Sequence, residues 1–445
     1  MTHASVEQLE ENLDSFDSAE RKKALISLVE KVRAGEINLH PVTTYVNLHF
    51  HTFFSYNSSG YSPSKIAWLA RKLGLSAAAV VDFDVLDALE EFLGAAKTLG
   101  LKGFAGLESR VFVPEFSDKV INSPGEPGIA YHIGIGFPKA NLEEKQKEFL
   151  LNLRKTAQKR NQDLMQRVNE YLKPVQLDYK KDVLSLTPSG NPTERHICVA
   201  FARKASQMFN DRKSLAEFWS EKLDVNVGGS MLPESSDLLY KISTKTMKRG
   251  GSGYVTPDKK SFPLLADTNR FFLEAGAIPT VAWLDGTSEG EKEIESLLEI
   301  AMSSGAAAIN IIPDRNYTPG VKDVKLENLY QIVELAEKMN LPVLVGTEMN
   351  SPGQKFVDSF ETKELSRLVS VFVRSAHIVY AHSVLQQQCG LGYTSQWAKE
   401  NFGSTKEKNE FFEKLGRLLE PENEDQCSNF DGESSPARIL ERFNN

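Results

Sequence analysis

The sequence predicts an α/β barrel interrupted by a helical insertion and extended by helices at both ends. Three observations carry this. Short, largely apolar runs alternate with amphipathic stretches, as at 77–81, 278–283 and 341–346, and the wholly apolar run 77–81 marks a strand covered on both faces. Polar residues follow these runs, where barrel and open α/β enzymes assemble their sites. The length of 445 residues accommodates a barrel of about 250 residues with additions.

Bulk composition narrows the function classes. Apolar residues make up 41% and charged residues 25% of the chain, ordinary values for a folded globular protein. The net charge of -8 argues against a nucleic-acid binder held by a broad basic surface. Cys198, Cys389 and Cys427 are far apart and in no CxxC pair, so neither a disulfide framework nor a thiolate zinc site is indicated. With no basic, apolar leader at the start and no run of about 18 apolar residues, the expectation is a cytoplasmic protein with no membrane partner.

Residues 1–42 read as a helical arm. Val6, Leu9, Leu13 and Phe16 step by three and four, and Leu25, Leu28, Val29 and Val32 repeat the pattern after a break. Asp17 with Glu20 resembles a capping box that starts the second helix near Ser18. The arm is expected to pack on the barrel or to join a second copy as a homo-oligomer.

A first barrel half is expected over 43–140. In Val46-Asn47-Leu48-His49-Phe50-His51 a period of two sends Asn47, His49 and His51 to one face and three apolar residues to the other. Imidazoles at i and i+2 reach one cation from the same side, or are simply hydrogen-bonded near a strand end. Ser62-Pro63-Ser64 starts a helix that Gly74 stops. The run 77–81 ends in Asp82-Phe83-Asp84, a Leu- and Ala-rich helix reaches Gly100, and 103–107 leads into Glu108. Residues 129–135 form another strand candidate, with His132 inside it.

The charged helical stretch 141–171 is too long for a barrel connection, so 141–268 is read as an inserted, mostly helical domain. Within it, Thr193-Glu194-Arg195-His196-Ile197 caps a helix running to Met208. Lys241, Lys245, Lys248, Arg249, Lys259 and Lys260 surround Gly250-Gly251-Ser252-Gly253 with one acid, Asp258. No Gly-Lys-Ser/Thr closes this stretch, so it is no P-loop and reads as a solvated loop or a basic lid. A second barrel half is expected over 269–355, its last strand ending in Thr347-Glu348-Met349-Asn350. A helical extension follows over 356–445; His377 and His382 lie on or beside a helix there and read as structural.

His49, His51, Glu108, His132 and Glu348 come from at least four strands, which a parallel barrel would bring to one mouth. Imidazole plus carboxylate suits Zn, Mn or Fe. With this set, the chain resembles the polymerase and histidinol phosphatase superfamily, PHP: distorted (β/α)7 barrels that hold two or three metals and mostly hydrolyse phosphate esters. The resemblance rests on His49-x-His51-Thr52-x-x-Ser55, on Val81-Asp82-Phe83-Asp84 in place of T-D-H-D, and on Gly106-Leu107-Glu108 in place of G-I-E. Tyr131-His132-Ile133-Gly134, Glu194-Arg195-His196-Ile197 and Gly346-Thr347-Glu348-Met349-Asn350 continue it in order over about 45 to 355.

The resemblance implies His49, His51, Glu108, His132 and Glu348 as metal ligands, with one to two divalent transition metal ions. It implies that Arg195 and His196 meet a substrate phosphate, and that Asp82 and Asp84 either orient ligand imidazoles or act on a proton. Phe83, Trp283, Glu348 and Asn350 depart from the family pattern, where His, His, Asp and His are expected. The implied activity is hydrolysis of a small phosphate ester, a phosphomonoester or nucleotide, by attack of a metal-bound water. Two other readings stay open: a non-catalytic metal- or ligand-binding relative, and a metal-dependent barrel enzyme acting on a sugar or amide.

Overall fold

The structure, a computed structural model, describes residues 4–256, 261–318 and 320–444. The arm is α1 (Val6–Asn12) and α2 (Ser18–Arg33), the latter capped by the Asp17 carboxylate on Ala19 N–H. The first barrel half runs β1 (Val46–Phe50), α3 (Pro63–Lys72), β2 (Ala77–Phe83), α4 (Leu89–Leu99), β3 (Lys102–Phe112) and β4 (Ile129–Ile135). Five helices follow before the sheet resumes: α5 (Glu144–Tyr171), α6 (Glu194–Met208), α7 (Arg212–Leu223), α8 (Ser236–Thr246) and α9 (Leu265–Glu274). The second half is β5 (Ile278–Trp283), α10 (Ile294–Ser303), β6 (Ala308–Ile311), α11 (Lys322–Lys338) and β7 (Val343–Val345). The chain ends in α12 (Lys363–Ser366), α13 (Val369–Cys389), α14 (Gln396–Asn401), α15 (Thr405–Leu418) and α16 (Pro436–Phe443).

The seven strands lie side by side in chain order. Past the end of β7 the sheet closes on β1: His51 N–H donates to the Glu348 carbonyl at 2.8 Å and Glu348 N–H to the His49 carbonyl at 2.9 Å. Gly346 permits that approach, since a Cβ there would stand 2.4 Å from the Cβ of His49. The barrel is not all parallel. β4 runs antiparallel to both β3 and β5, because 113–128 holds only a single 3-10 turn and no crossover helix.

Pairing parity sets the faces. On β1 all five residues are buried, with Val46, Leu48 and Phe50 in the apolar cores and Asn47 and His49 bonded across the barrel. The arm packs on α3: Leu9, Leu13, Leu25 and Leu28 share a core with Ile66 and Trp68, and the Trp68 indole N–H donates to Glu10. Elements α5 to α8 hold a core of their own, with Val168, Phe201, Trp219 and Ile242 fully buried. Among the described residues no helix is long and apolar enough to cross a membrane.

Of the basic stretch 241–260, Asp258, Lys259 and Lys260 lie outside the described residues. Lys241 sits beside Asp237 on α8, and Lys248 is ion-paired with Glu194 at 2.6 Å. His377 and His382 lie on α13, where the His382 Nδ1 accepts from Tyr393 N–H at 2.9 Å.

Candidate metal centre

Strand alternation turns His49 inward and delivers His51 one residue past the end of β1, while Glu108 enters from β3. Their ligand atoms meet. Glu108 Oε2 lies 3.4 Å from His49 Nε2 and 3.2 Å from His51 Nε2, with all three side chains at most 3% exposed. Each of these atoms is buried without a hydrogen-bond partner. Among the described residues this is the one group of three potential ligands whose atoms all lie within 4.8 Å of one another.

The rings are held from behind. His49 Nδ1 is 3.0 Å from the Asn310 side-chain oxygen, which only accepts, so the neutral ring directs its Nε2 lone pair at the carboxylate. His51 Nδ1 lies 3.3 Å from the Ser55 hydroxyl. Lone pairs of two imidazoles and a carboxylate converging in a buried space repel unless a proton or a metal cation sits between them. The donor set therefore fits a divalent transition metal. A proton can take the same place: burial opposes ionisation of Glu108, but hydrogen bonds from the two imidazoles in their protonated form outweigh it and hold the carboxyl down at about 2. Against burial, Glu108 in turn raises the pKa of His49.

Asp82 does not reach this cluster as a free carboxylate. It accepts from Thr52 N–H at 2.8 Å, the Thr52 hydroxyl at 2.6 Å and the Ser55 hydroxyl at 2.5 Å. It thus pins the loop after β1 and, through Ser55, the ring of His51. Asp84, at φ 57, accepts from Ser109 at 2.6 Å; burial raises its pKa, and it lines the cleft described below.

His132, expected among the ligands, is not brought to the cluster. Strand β4 pairs His132 with Ser109 and Ile133 with Glu108, so parity turns Tyr131 and Ile133 toward the site and His132 away from it. Its Nε2 bonds Asn269 on α9, its ring stacks on Phe272, and burial lowers its pKa to about 4. Glu348 lies beside the cluster and outside the three-ligand group; its Oε2 accepts from Arg315 at 3.1 Å and Gln354 at 3.4 Å. Trp283, which stands where the family pattern has a histidine, lines an outer groove with Ile294, Ile332 and Leu335 and does not border the centre.

Above the cluster lies a cleft of about 170 Å³ between the barrel mouth and helices α5, α6 and α8. Phe83, stacked on His51 at 4.4 Å, and Glu348 belong to its wall. Arg110, Arg160, Arg195, Lys248 and Arg315 bring five cationic side chains to it. Some are answered by acids: Arg110 by Glu126 at 2.9 Å, Lys248 by Glu194 at 2.6 Å, Arg315 by Glu348. Burial raises Glu194, but Lys248 and Arg110 prevail and hold it at about 2. Arg195 donates to the Ser351 hydroxyl at 2.9 Å and Arg160 to the Ser261 carbonyl at 3.1 Å, and neither has a carboxylate partner among the described residues. Burial, with Arg110 adding to it, lowers Arg160 to about 10, and its Nε is buried without a partner.

His196 takes a different place from Arg195. Its Nδ1 accepts from Thr193 N–H at 3.1 Å, capping α6, while its ring packs edge-on against Tyr56. Asn310, Arg160 and Arg315 were not singled out by sequence. Asn310 was visible as a polar break in the apolar run 307–312, but nothing local distinguished the arginines from surface charges.

An 85-residue stretch is 33% identical to the error-prone DNA polymerase of Cutibacterium acnes, covering 19% of this chain and only 8% of that polymerase. An amidohydrolase from Chromobacterium violaceum with bound sulfate and no metal superposes over 74% of this chain and 96% of its own, with TM-score 0.49 and 16% identity. A protein proposed as a metal-dependent phosphoesterase from Bifidobacterium adolescentis does so over 75% and 98%, with TM-score 0.47 and 17% identity. The family model of the PHP domain matches residues 47–223, a span that holds His49, His51, Glu108, the cleft-lining middle of α5 and the start of α6.

Proposed function

We propose that the protein is a metal-dependent hydrolase acting on a small phosphate ester, a phosphomonoester or nucleotide. The supporting observation is the juxtaposition of three buried, unpartnered ligand atoms with a cleft in which Arg160 and Arg195 lack carboxylate partners. When bound at His49, His51 and Glu108, a divalent cation supplies an acidified water and offsets charge on phosphoryl oxygens.

The chain's own residues do the rest. Arg195 and Arg160 offer forked N–H donors matched to phosphate oxygens, and an anion between them relieves the cost of burying Arg160. Phe83 and Tyr131, with ring centroids 6.1 Å apart, form an apolar wall for the organic part of the ester. Asp84 is the carboxyl in the cleft wall placed to exchange a proton, while Asp82 is a positioning residue that acts through Ser55 on His51.

The test is metal content after purification, followed by phosphate release from p-nitrophenyl phosphate and nucleoside monophosphates. Release that stops on chelation and returns on addition of Mn or Zn is the expected result. Arg195→Ala should lower kcat/KM about tenfold or more, the worth of one charged phosphate contact. Metal uptake with no release from any ester would favour the non-catalytic reading.

A further inference from the structure

We infer that the centre holds a single metal ion and that Arg315 is a catalytic residue, its guanidinium supplying the positive charge that a second cation would otherwise bring to the phosphoryl group. This rests on the metal-dependent reading above and goes beyond it in assigning a role to Arg315.

Four observations converge. Only one three-ligand group exists among the described residues, and it contains neither Glu348 nor His132. Glu348, the carboxylate left over at the mouth, is already committed to a cation: Arg315 Nη2 stands 3.1 Å from its Oε2, with Gln354 at 3.4 Å from the same atom. Phe83 covers the neighbouring side of His51 with a ring stacked at 4.4 Å, apolar surface where a further ion would need ligands. Finally, Glu348 is 6% exposed whereas the Arg315 side chain is 42% exposed and lines the cleft.

That asymmetry gives the arginine two faces. One N–H anchors to a buried carboxylate; the other donors look into the cleft without a side-chain partner among the described residues. Backbone geometry holds the anchor in place. Glu348 and Met349 sit at φ 61 and 54, and the Glu348 N–H and carbonyl are both tied to β1. Arg315 itself lies on the 3-10 turn Pro313–Tyr317 directly after β6, the strand that carries Asn310. One strand thus orients a ligand histidine and presents a cation to the substrate.

In the hydrolysis the water oxygen forms a bond to phosphorus, and the ester P–O bond breaks with its electron pair leaving on the alcohol oxygen. The proton lost by water ends on that oxygen. Arg315 neither gains nor loses a proton; it donates hydrogen bonds to the non-bridging oxygens, which carry more charge as the bonds change.

The test uses the full chain, elemental analysis and calorimetric titration with inorganic phosphate, so it does not depend on turnover. After saturation with Mn or Zn and desalting, wild type and Arg315→Gln should each retain one equivalent of metal. Arg315→Gln should bind phosphate about tenfold or more weakly, with Arg315→Lys recovering part of the loss. Two equivalents in the wild type would overturn the inference while leaving the metal reading intact. So would phosphate affinity unchanged in Arg315→Gln, or metal lost from that variant, which would make the arginine a support for a ligand. A wild type that takes up no metal at all would sink both.

Discussion

The buried histidines of this protein fall into two groups, and their difference shows what makes an imidazole a ligand. At the barrel mouth, His49 and His51 each have one ring nitrogen held by a neighbour and the other aimed at Glu108. In the surrounding shell, His132, His196 and His382 are also buried, but His132 donates to the Asn269 side-chain oxygen, His196 caps α6 and His382 accepts from a backbone N–H, and among the described residues no carboxylate is bonded to them. Burial does not separate the groups, nor does an unpartnered nitrogen, since His382 Nε2 has none either. What separates them is convergence: among the described residues, only at the mouth do unpartnered atoms from three potential ligands share one space.

The comparison breaks most sharply under substitution at each end. Glu108→Ala should abolish metal retention in elemental analysis with the far-ultraviolet circular dichroism unchanged, whereas His132→Ala should keep full metal content. Metal should also stabilise the wild type, by about 2.7 kcal/mol at a hundredfold excess over Kd, and fail to stabilise Glu108→Ala. If His132→Ala loses its metal, the division drawn above is wrong.

Smaller effects sharpen the account of how the ligands are held. Asp82→Ala removes the acceptor for three buried donors and should cost about 2–4 kcal/mol in urea unfolding. Asn310→Ala should weaken metal affinity about 10- to 100-fold by freeing the His49 ring, with little change in stability. An Asn310 variant with wild-type affinity would show that packing alone orients that ring.

A gradual, pH-dependent effect belongs to the shell. Burial lowers His132 to about 4 and both His196 and His382 to about 3, below the ordinary imidazole value. Below a pH of about 6.5 the unfolded chain therefore binds protons that the folded chain does not, and stability falls as pH falls, by up to about 1.4 kcal/mol per group for each unit. Urea midpoints measured from neutral pH down to about 5 should drop, and His382→Gln should flatten that slope if it folds. A slope unchanged in that variant would show that His382 is not among the groups responsible.

Much was legible in the chain because it depends on local pattern. Alternation in Val46 to His51, the apolar run before Asp82 and the glycine-led approach to Glu108 announce buried strands with polar ends, and these became β1, β2 and β3. The pairing of His49 and His51 with Glu108 followed from strands that run the same way, where polar ends gather at one mouth.

His132 marks where local pattern stopped. Sequence placed it on a strand, but the direction of that strand and its parity against β3 are set by pairing with both neighbours, and together they turned the ring onto α9. Arg315 and Arg160 were beyond reach for a related reason, and Asn310, though visible as a polar break in an apolar run, could not be given its partner. Their partners lie 33, 101 and 261 positions away along the chain, and a contact between distant segments exists only once the tertiary fold has formed. Periodicity and end residues determined which elements form and which residues stand at their ends; closure of the sheet decided which of those side chains share a space, because that depends on strand direction and register that no short stretch encodes.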